Sequence, residues 1–263
     1  MRKTRVLLFL SVFLCLILSA CSNQSGADDV SSEKKVLKMG TSADFAPFEY
    51  VDTETNEIVG YDIDFARAIA KELGYELEIV DIEFSGLITA MQNGKVDFAI
   101  SAIEPTAERK KNADFSIPYH RSELVLLTMK DSGIDSVEDL KGKTVGVQAG
   151  SLQETMAKDL QKKTDFEITT RDRVAEIVQE IAVDRIDATI MEMPVTKGYM
   201  ANNKELKTVS IPGVETGGAA IAFPKGSELT EKFNPVIEKM EEDGELEELT
   251  VKWFGEKSLE VKK

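Results

Sequence analysis

LITAMQNGKVDFAI (87–100) and IVQEIAVDRIDATI (177–190) are the two stretches from which the fold of this chain can be read. Each opens with apolar residues at helical spacing, passes through a turn, and ends in an apolar strand that begins Val-Asp or Ile-Asp. Asp97 and Asp187 hold equivalent places, as do Ile100 and Ile190. One helix–turn–strand unit in each half of the chain predicts two similar lobes.

The same alternation continues outward from both units. Ahead of the first, VLKMG (36–40) reads as a strand and YDIDFARAIAKELG (61–74) as a helix. Ile63, Ala66, Ile69, Ala70 and Leu73 share one face of that helix, and Gly74 stops it. ELEIVDI (76–82) is the next strand. Ahead of the second unit come a strand LVLLTMK (124–130), a short helix SVEDLKG (136–142) and a strand TVGVQAG (144–150). A helix SLQETMAKDLQKK (151–163) with Ser151 as its N-cap follows, then a strand FEITT (166–170). The βαβαβ opening predicts an α/β fold with largely parallel sheets. GGAAIAFPKG (217–226) reads as a strand, and residues 228–256 as two helices broken near Asp243-Gly244. This tail has no unit of its own, so it is expected to cross back onto the first lobe. The predicted boundaries are 36–122 with 219–263 for lobe 1 and 123–218 for lobe 2. Two crossings, near 121–124 and 217–220, form a two-stranded hinge.

The front of the chain has a different character. Arg2, Lys3 and Arg5 precede an uncharged run, VLLFLSVFLCLIL (6–18), which has the length of a signal-peptide core and is short for a membrane span. The run ends in Leu18-Ser19-Ala20-Cys21, which resembles the bacterial lipobox. That resemblance implies a signal peptide over 1–20, lipidation of Cys21 and anchoring on the outer face of the cytoplasmic membrane. SNQSGADDVSSEKK (22–35) is small, polar and charged, and reads as a flexible tether. Loss of the leader takes the formal charge from −15 to −18. So acidic a body is repelled by nucleic-acid phosphates, which excludes nucleic acid as a partner. With Cys15 removed and Cys21 lipidated, no pair remains for a disulfide. His120 is the only histidine. A zinc site or a Ser-His-Asp arrangement would need more or would have to use it, and Pro118-Tyr119-His120-Arg121 reads as a surface or inter-lobe turn. No metal, cofactor or catalytic residue is expected.

Five places carry a more specific signal. Gly40-Thr41-Ser42-Ala43-Asp44-Phe45-Ala46-Pro47-Phe48-Glu49 is followed by Gly60-Tyr61-Asp62-Ile63-Asp64, and Phe84-Ser85-Gly86-Leu87-Ile88 comes next. Ser101-Ala102-Ile103-Glu104-Pro105-Thr106-Ala107-Glu108-Arg109 is the third. The fourth is Gly146-Val147-Gln148-Ala149-Gly150-Ser151-Leu152-Gln153-Glu154, and the fifth Asp187-Ala188-Thr189-Ile190-Met191-Glu192-Met193-Pro194. Together they resemble the polar amino-acid receptors of ATP-binding-cassette importers, the family of the histidine, glutamine and lysine-arginine-ornithine binding proteins. The overall flavour is that of the Gram-positive arginine-binding lipoproteins. The resemblance implies a two-lobed periplasmic-binding-protein-like fold and a monomer that closes around a free amino acid and hands it to a permease with its ATPase.

The resemblance also implies roles residue by residue. Arg109 corresponds to the guanidinium that grips the ligand α-carboxylate, for which a planar fork is suited. The N-terminus of the helix after Gly150, at Ser151 and Leu152, is the second jaw on that carboxylate, through unpaired N–H groups and the helix dipole. Glu192 corresponds to the acid that holds the α-ammonium. Phe45 and Phe84 correspond to rings that cover the ligand side chain. Ser42, Ser101, Ala102, Gln148 and Gln153 complete the expected site. Many relatives carry Asp where Ser42 stands, and Ser, Thr or Asp where Glu104 stands. Glu104 therefore adds negative charge, which favours a cationic ligand. The residues alone leave glutamine, cystine and arginine open. An enzyme on the same fold, such as a cyclohexadienyl or arogenate dehydratase with Glu104 as its acid or base, is the alternative.

Overall fold

The computed structural model describes residues 35–214 and 217–256. The leader, Cys21 and nearly all of the tether lie outside the described residues, as do Glu215, Thr216 and the last seven residues.

The first sheet is built from β1 (Val36–Thr41), β5 (Glu76–Asp81), β6 (Phe98–Ala99), β7 (Asp114–Phe115) and β13 (Ala222–Phe223), in the order β5-β1-β6-β13-β7. Three short strands, β2 (Asp44–Phe45), β3 (Glu49–Val51) and β4 (Ile58–Val59), form a separate antiparallel sheet between β1 and helix α1 (Tyr61–Glu72). Helices α2 (Leu87–Gln92) and α3 (Arg109–Asn112) follow. The second sheet has the order β10-β9-β11-β8-β12, with β8 (Leu124–Met129), β9 (Thr144–Gln148), β10 (Glu167–Arg171), β11 (Ala188–Glu192) and β12 (Leu206–Ser210). Helices α4 (Leu152–Gln161), α5 (Val174–Ile181) and α6 (Met193–Asn202) flank it.

The repeated unit recurs in three dimensions. Asp97 accepts the Lys38 N–H of the neighbouring parallel strand at 2.7 Å, and Asp187 accepts the Thr144 N–H at 2.8 Å. In each lobe the same backbone then returns a bond, Asp97 N–H to Lys38 O and Asp187 N–H to Thr144 O. A carboxylate that takes a backbone N–H of the neighbouring strand pins the register of the pair, and a one-residue slip would lose it. The parallel character holds for the βαβ part of each lobe: β1 runs parallel to β5 and β6, and β9 to β10 and β11. The remaining pairings are antiparallel, made by β13 in the first sheet and by β8 in the second. Both sheets are therefore evenly mixed rather than mainly parallel, because the strand that follows each crossing, β8 or β13, runs against both of its neighbours.

The chain leaves the first sheet after β7, builds the second from β8 to β12, and returns with β13. The two crossings touch through an antiparallel bridge between His120 and Ala219. Of the two readings of this turn, surface or inter-lobe, the second holds: His120 is buried at the crossing, and its ring stacks on Phe254 at 4.5 Å. Phe254 ends α8 (Glu245–Phe254), which with α7 (Leu229–Glu242) packs on α1. Gly244, at φ 82°, makes the left-handed break between them.

Gly60 fixes the start of α1. It has φ 141°, and a Cβ there would lie 2.1 Å from the Phe48 carbonyl oxygen. The backbones approach this closely because Tyr61 and Asp62 donate their N–H groups to Pro47 O and Phe48 O, both at 2.9 Å, in place of a side-chain cap. Gly60→Ala is therefore expected to cost about 3 kcal/mol of unfolding free energy, read as a lower denaturant midpoint.

Candidate ligand-binding site

The loops at the strand ends of both sheets meet around a cleft with about 360 Å³ of empty space, part of it open to solvent. All the residues singled out from sequence line it except Ser151, and Asp44 and Glu49 join them. One guanidinium, Arg109, faces four carboxyl groups, Asp44, Glu49, Glu104 and Glu192.

Arg109 opens the short helix α3, whose preceding turn is held by the Thr106 hydroxyl at the Arg109 N–H. Its two terminal nitrogens donate to Glu104 O and Gly150 O, each at 2.9 Å. The second of these bonds joins the two lobes. A guanidinium carries five N–H donors, so three remain for an anion in the cavity. Phe84 lies under the guanidinium, 5.2 Å from ring centre to Cζ. Burial lowers the pKa of Arg109, and the charges of Glu104 and Glu108 oppose that shift.

The opposite jaw departs from expectation at Ser151. Its hydroxyl accepts the Glu154 N–H at 3.1 Å and so caps α4, and its own N–H donates to Gln148 O at 3.2 Å. Its N–H is spent within the turn, and Ser151 is not among the residues that line the cavity, where Leu152 is. Gln148 donates its amide N–H to Asp172 O at 3.1 Å. Gln153 donates to both carboxylate oxygens of Glu192 at 2.9 Å. Glu192 ends β11 deep in the cavity, where burial first and the charge of Glu104 second push its carboxyl up to about 7.

The first lobe supplies the other walls. Phe45 stacks on Phe48 at 5.8 Å and turns its remaining surface to the cavity. Ser42 is buried; its N–H donates to the Ser101 hydroxyl oxygen at 3.1 Å and its hydroxyl to Asp44 at 3.1 Å. Asp44 also accepts the Val174 N–H at the start of α5, so this carboxylate spans the lobes. Burial raises its pKa, and the bonds from Val174 and Ser42 oppose the shift. Asp44 and Glu49 lie within the opening motif, but their position on the cavity depends on partners far along the chain. Among the described residues no group of His, Cys, Asp and Glu is arranged to hold a metal ion.

The profile of bacterial extracellular solute-binding proteins, family 3, matches residues 37–256. The chain belongs to this family. Over 97% of its length and the whole of the relative, this solute-binding protein is 48% identical to the arginine-binding extracellular protein ArtP of Bacillus subtilis. Among solved structures it is similar to the substrate-binding protein of an amino-acid ABC transporter, at 42% identity and a TM-score of 0.79 over 83% of this chain and 99% of the other. It is also similar to an ancestral arginine-binding protein bound to arginine, at 39% identity and a TM-score of 0.79 over 84% and 99%.

A second inter-lobe contact of the solute-binding protein lies beside Asp44. Arg173, just before α5, forks onto Asp81 at the end of β5, at 2.9 and 3.1 Å, and reaches the Ser42 hydroxyl at 3.4 Å. It favours the closed form whatever the ligand. Arg173→Ala is expected to weaken neutral ligands about three- to tenfold for a half-exposed pair, and cationic ligands less, because the same substitution removes a positive charge beside Asp44; calorimetry with both classes checks it.

Proposed function

We propose that this protein is the extracytoplasmic receptor for a free cationic L-amino acid, arginine foremost, which it encloses between its lobes and presents to an ABC importer. The observation that carries this reading is the charge of the cavity: four carboxyl groups against one guanidinium, drawn from both lobes. An amino acid with a cationic side chain brings one negative and two positive groups, and so complements that set. Arg109 and the N-terminus of α4 would hold the α-carboxylate. Glu192, oriented by Gln153, would hold the α-ammonium with Glu104 beside it. Phe45 and Phe84 would flank the side chain, whose distal cation would lie towards Ser42, Ser101, Asp44 and Glu49. The relative named for arginine and the neighbour bound to arginine support the same choice.

Neither lobe holds all these groups, so ligand stabilises closure by touching both. The motion would turn on the paired crossings at His120 and Ala219, with the lobes at 36–122 with 219–263 and at 123–218. Among the described residues no helix is long and apolar enough to cross a membrane. The lipobox at Leu18-Ser19-Ala20-Cys21 would tie a monomer to the outer face of the cytoplasmic membrane through a lipid on Cys21. Anchored capture, rather than turnover, is the role we infer.

The test is to unfold and refold the chain from Ser22 onward, so that carried-over ligand is removed, and titrate the common amino acids by calorimetry. Arginine or another cationic amino acid should bind tightest. Equal or tighter binding of neutral amino acids would overturn the cationic assignment, and no response to any amino acid would overturn the receptor reading itself. Turnover of prephenate or arogenate would establish the dehydratase instead.

A further inference from the structure

A pair of acids straddles the cavity wall, one lining the cavity and one behind it, away from the groups that hold the α-carboxylate and α-ammonium. Glu49 on β3 and Asp62 on α1 are both buried at 0% exposure, and each carboxyl acts on the other. One oxygen of each has ordinary donors. Glu49 Oε1 accepts the Ser101 hydroxyl at 2.6 Å. Asp62 Oδ2 accepts the Ala102 N–H at 2.8 Å and the Tyr119 hydroxyl at 2.9 Å. The other oxygens, Glu49 Oε2 and Asp62 Oδ1, meet no N–H or O–H donor. Two ionised carboxylates are acceptors only and cannot bond. A single proton shared by the pair would give both remaining oxygens a partner.

The surroundings hold that proton in place. Burial is the main cause that raises both groups, Asp62 to about 6 and Glu49 well above the usual carboxylate range. The charges acting on Glu49 are those of Asp62 and, from β2, Asp44, and all of them are negative. Ser101, Ala102 and Tyr119 contribute only neutral donors to the pair. Tyr119 is itself held protonated, first by burial and then by the two carboxyls.

Glu49 lines the ligand cavity and Asp62 does not. The shared proton thus sits one carboxyl group behind the wall, within reach of the field of whatever charge fills the cavity. We propose that the Glu49–Asp62 pair reads the charge of the ligand side chain: a cationic side chain drives the shared proton out, and a neutral one leaves it in place. This rests on the reading that the cavity takes an amino acid. Arginine binding then leaves a full negative charge under the guanidinium only when it is needed, and neutral competitors meet a neutral floor. Ser101 reinforces the choice. Its hydroxyl proton is committed to Glu49 and it already accepts from Ser42, so it offers the cavity a lone pair and favours an N–H donor.

Linkage fixes the sign. A ligand that expels a proton binds more tightly as pH rises, and its binding releases protons in proportion. Glu192, at the other end of the cavity, faces the same α-ammonium in every amino acid. Its proton release, and any contribution from Glu104 or Arg109, is common to arginine and citrulline, which differ only in guanidinium against ureido. Calorimetry near neutral pH in buffers of different ionisation enthalpy should give about half a proton more released per arginine than per citrulline. Glu49→Gln, whose amide can still bond to both Ser101 and Asp62, should abolish that difference. Infrared difference spectra of the unsubstituted protein should show a protonated-carboxyl band lost on adding arginine and kept with citrulline or glutamine. Equal release, an unchanged band, or a difference that persists in Glu49→Gln and so points to Asp44, would overturn the inference while leaving amino-acid capture intact. Failure of every amino acid to bind would remove both.

Discussion

Arg109→Ala is expected to lower affinity for any amino acid by about a thousandfold or more, the largest effect of any single substitution at this site. The α-carboxylate would lose a charge-assisted fork, and truncating one partner of such a pair costs about 4 kcal/mol. A second loss adds to the first. Arg109 also donates to Gly150 O across the lobes, so the same substitution loosens the closed form before ligand arrives. Lysine cannot restore the fork and has no planar face to lay on Phe84, so Arg109→Lys should recover only a small part of the loss. The unliganded protein should change little, because the bonds lost are to two carbonyls at a half-exposed position, worth about 1 kcal/mol each. Calorimetry with arginine, beside thermal unfolding without it, separates the two effects. A loss of affinity of tenfold or less would mean that another group holds the carboxylate.

The difference between what the sequence discloses about this site and what it hides has a physical origin. Asp97 and Asp187 are legible because each acts on a neighbouring strand through a local unit that the chain repeats. Arg109, Glu192, Phe45 and Phe84 are legible through motifs. Asp44 and Glu49 sit in one of those motifs, yet their meaning depends on partners that no local pattern names: Val174, 130 positions from Asp44, and Ser101, 52 positions from Glu49. Ser151 shows the converse: its pattern as an N-cap is legible, and its place at the head of α4 leaves it off the cavity lining. Among the elements, β2, β3 and β4 are two or three residues long, too short to show a period of two. Helix α6 begins beside Pro194 and contains Gly198, and its apolar residues do not gather on one face. Strand β12 follows it at the sheet edge, antiparallel to β8, where no repeated unit announces it.

Glu192→Gln should weaken amino-acid binding by about a hundredfold while making the unliganded protein more stable above neutral pH. The two changes come from one cause. Burial pushes Glu192 up to about 7, well above its value in an unfolded chain, so the folded state holds a proton that the unfolded state has released. The stability this contributes is fully present below the unfolded pKa and is lost as pH rises through about 7, when the buried carboxylate must ionise without a cation beside it. Glutamine never ionises and avoids that loss. The variant should match the parent near pH 5 and exceed it at about pH 8 in denaturant unfolding. For binding the sign reverses. The ligand ammonium needs the ionised carboxylate, so the parent's affinity should rise with pH by up to about tenfold per unit below 7 and level off above, a slope the variant loses apart from what the Glu49–Asp62 pair supplies for cationic ligands. A merely structural glutamate would give lower stability and lower affinity together. A residue kept for its ligand at the expense of the empty fold gives opposite signs, and Gln153, which donates to both carboxylate oxygens, holds that charge in position for the ammonium.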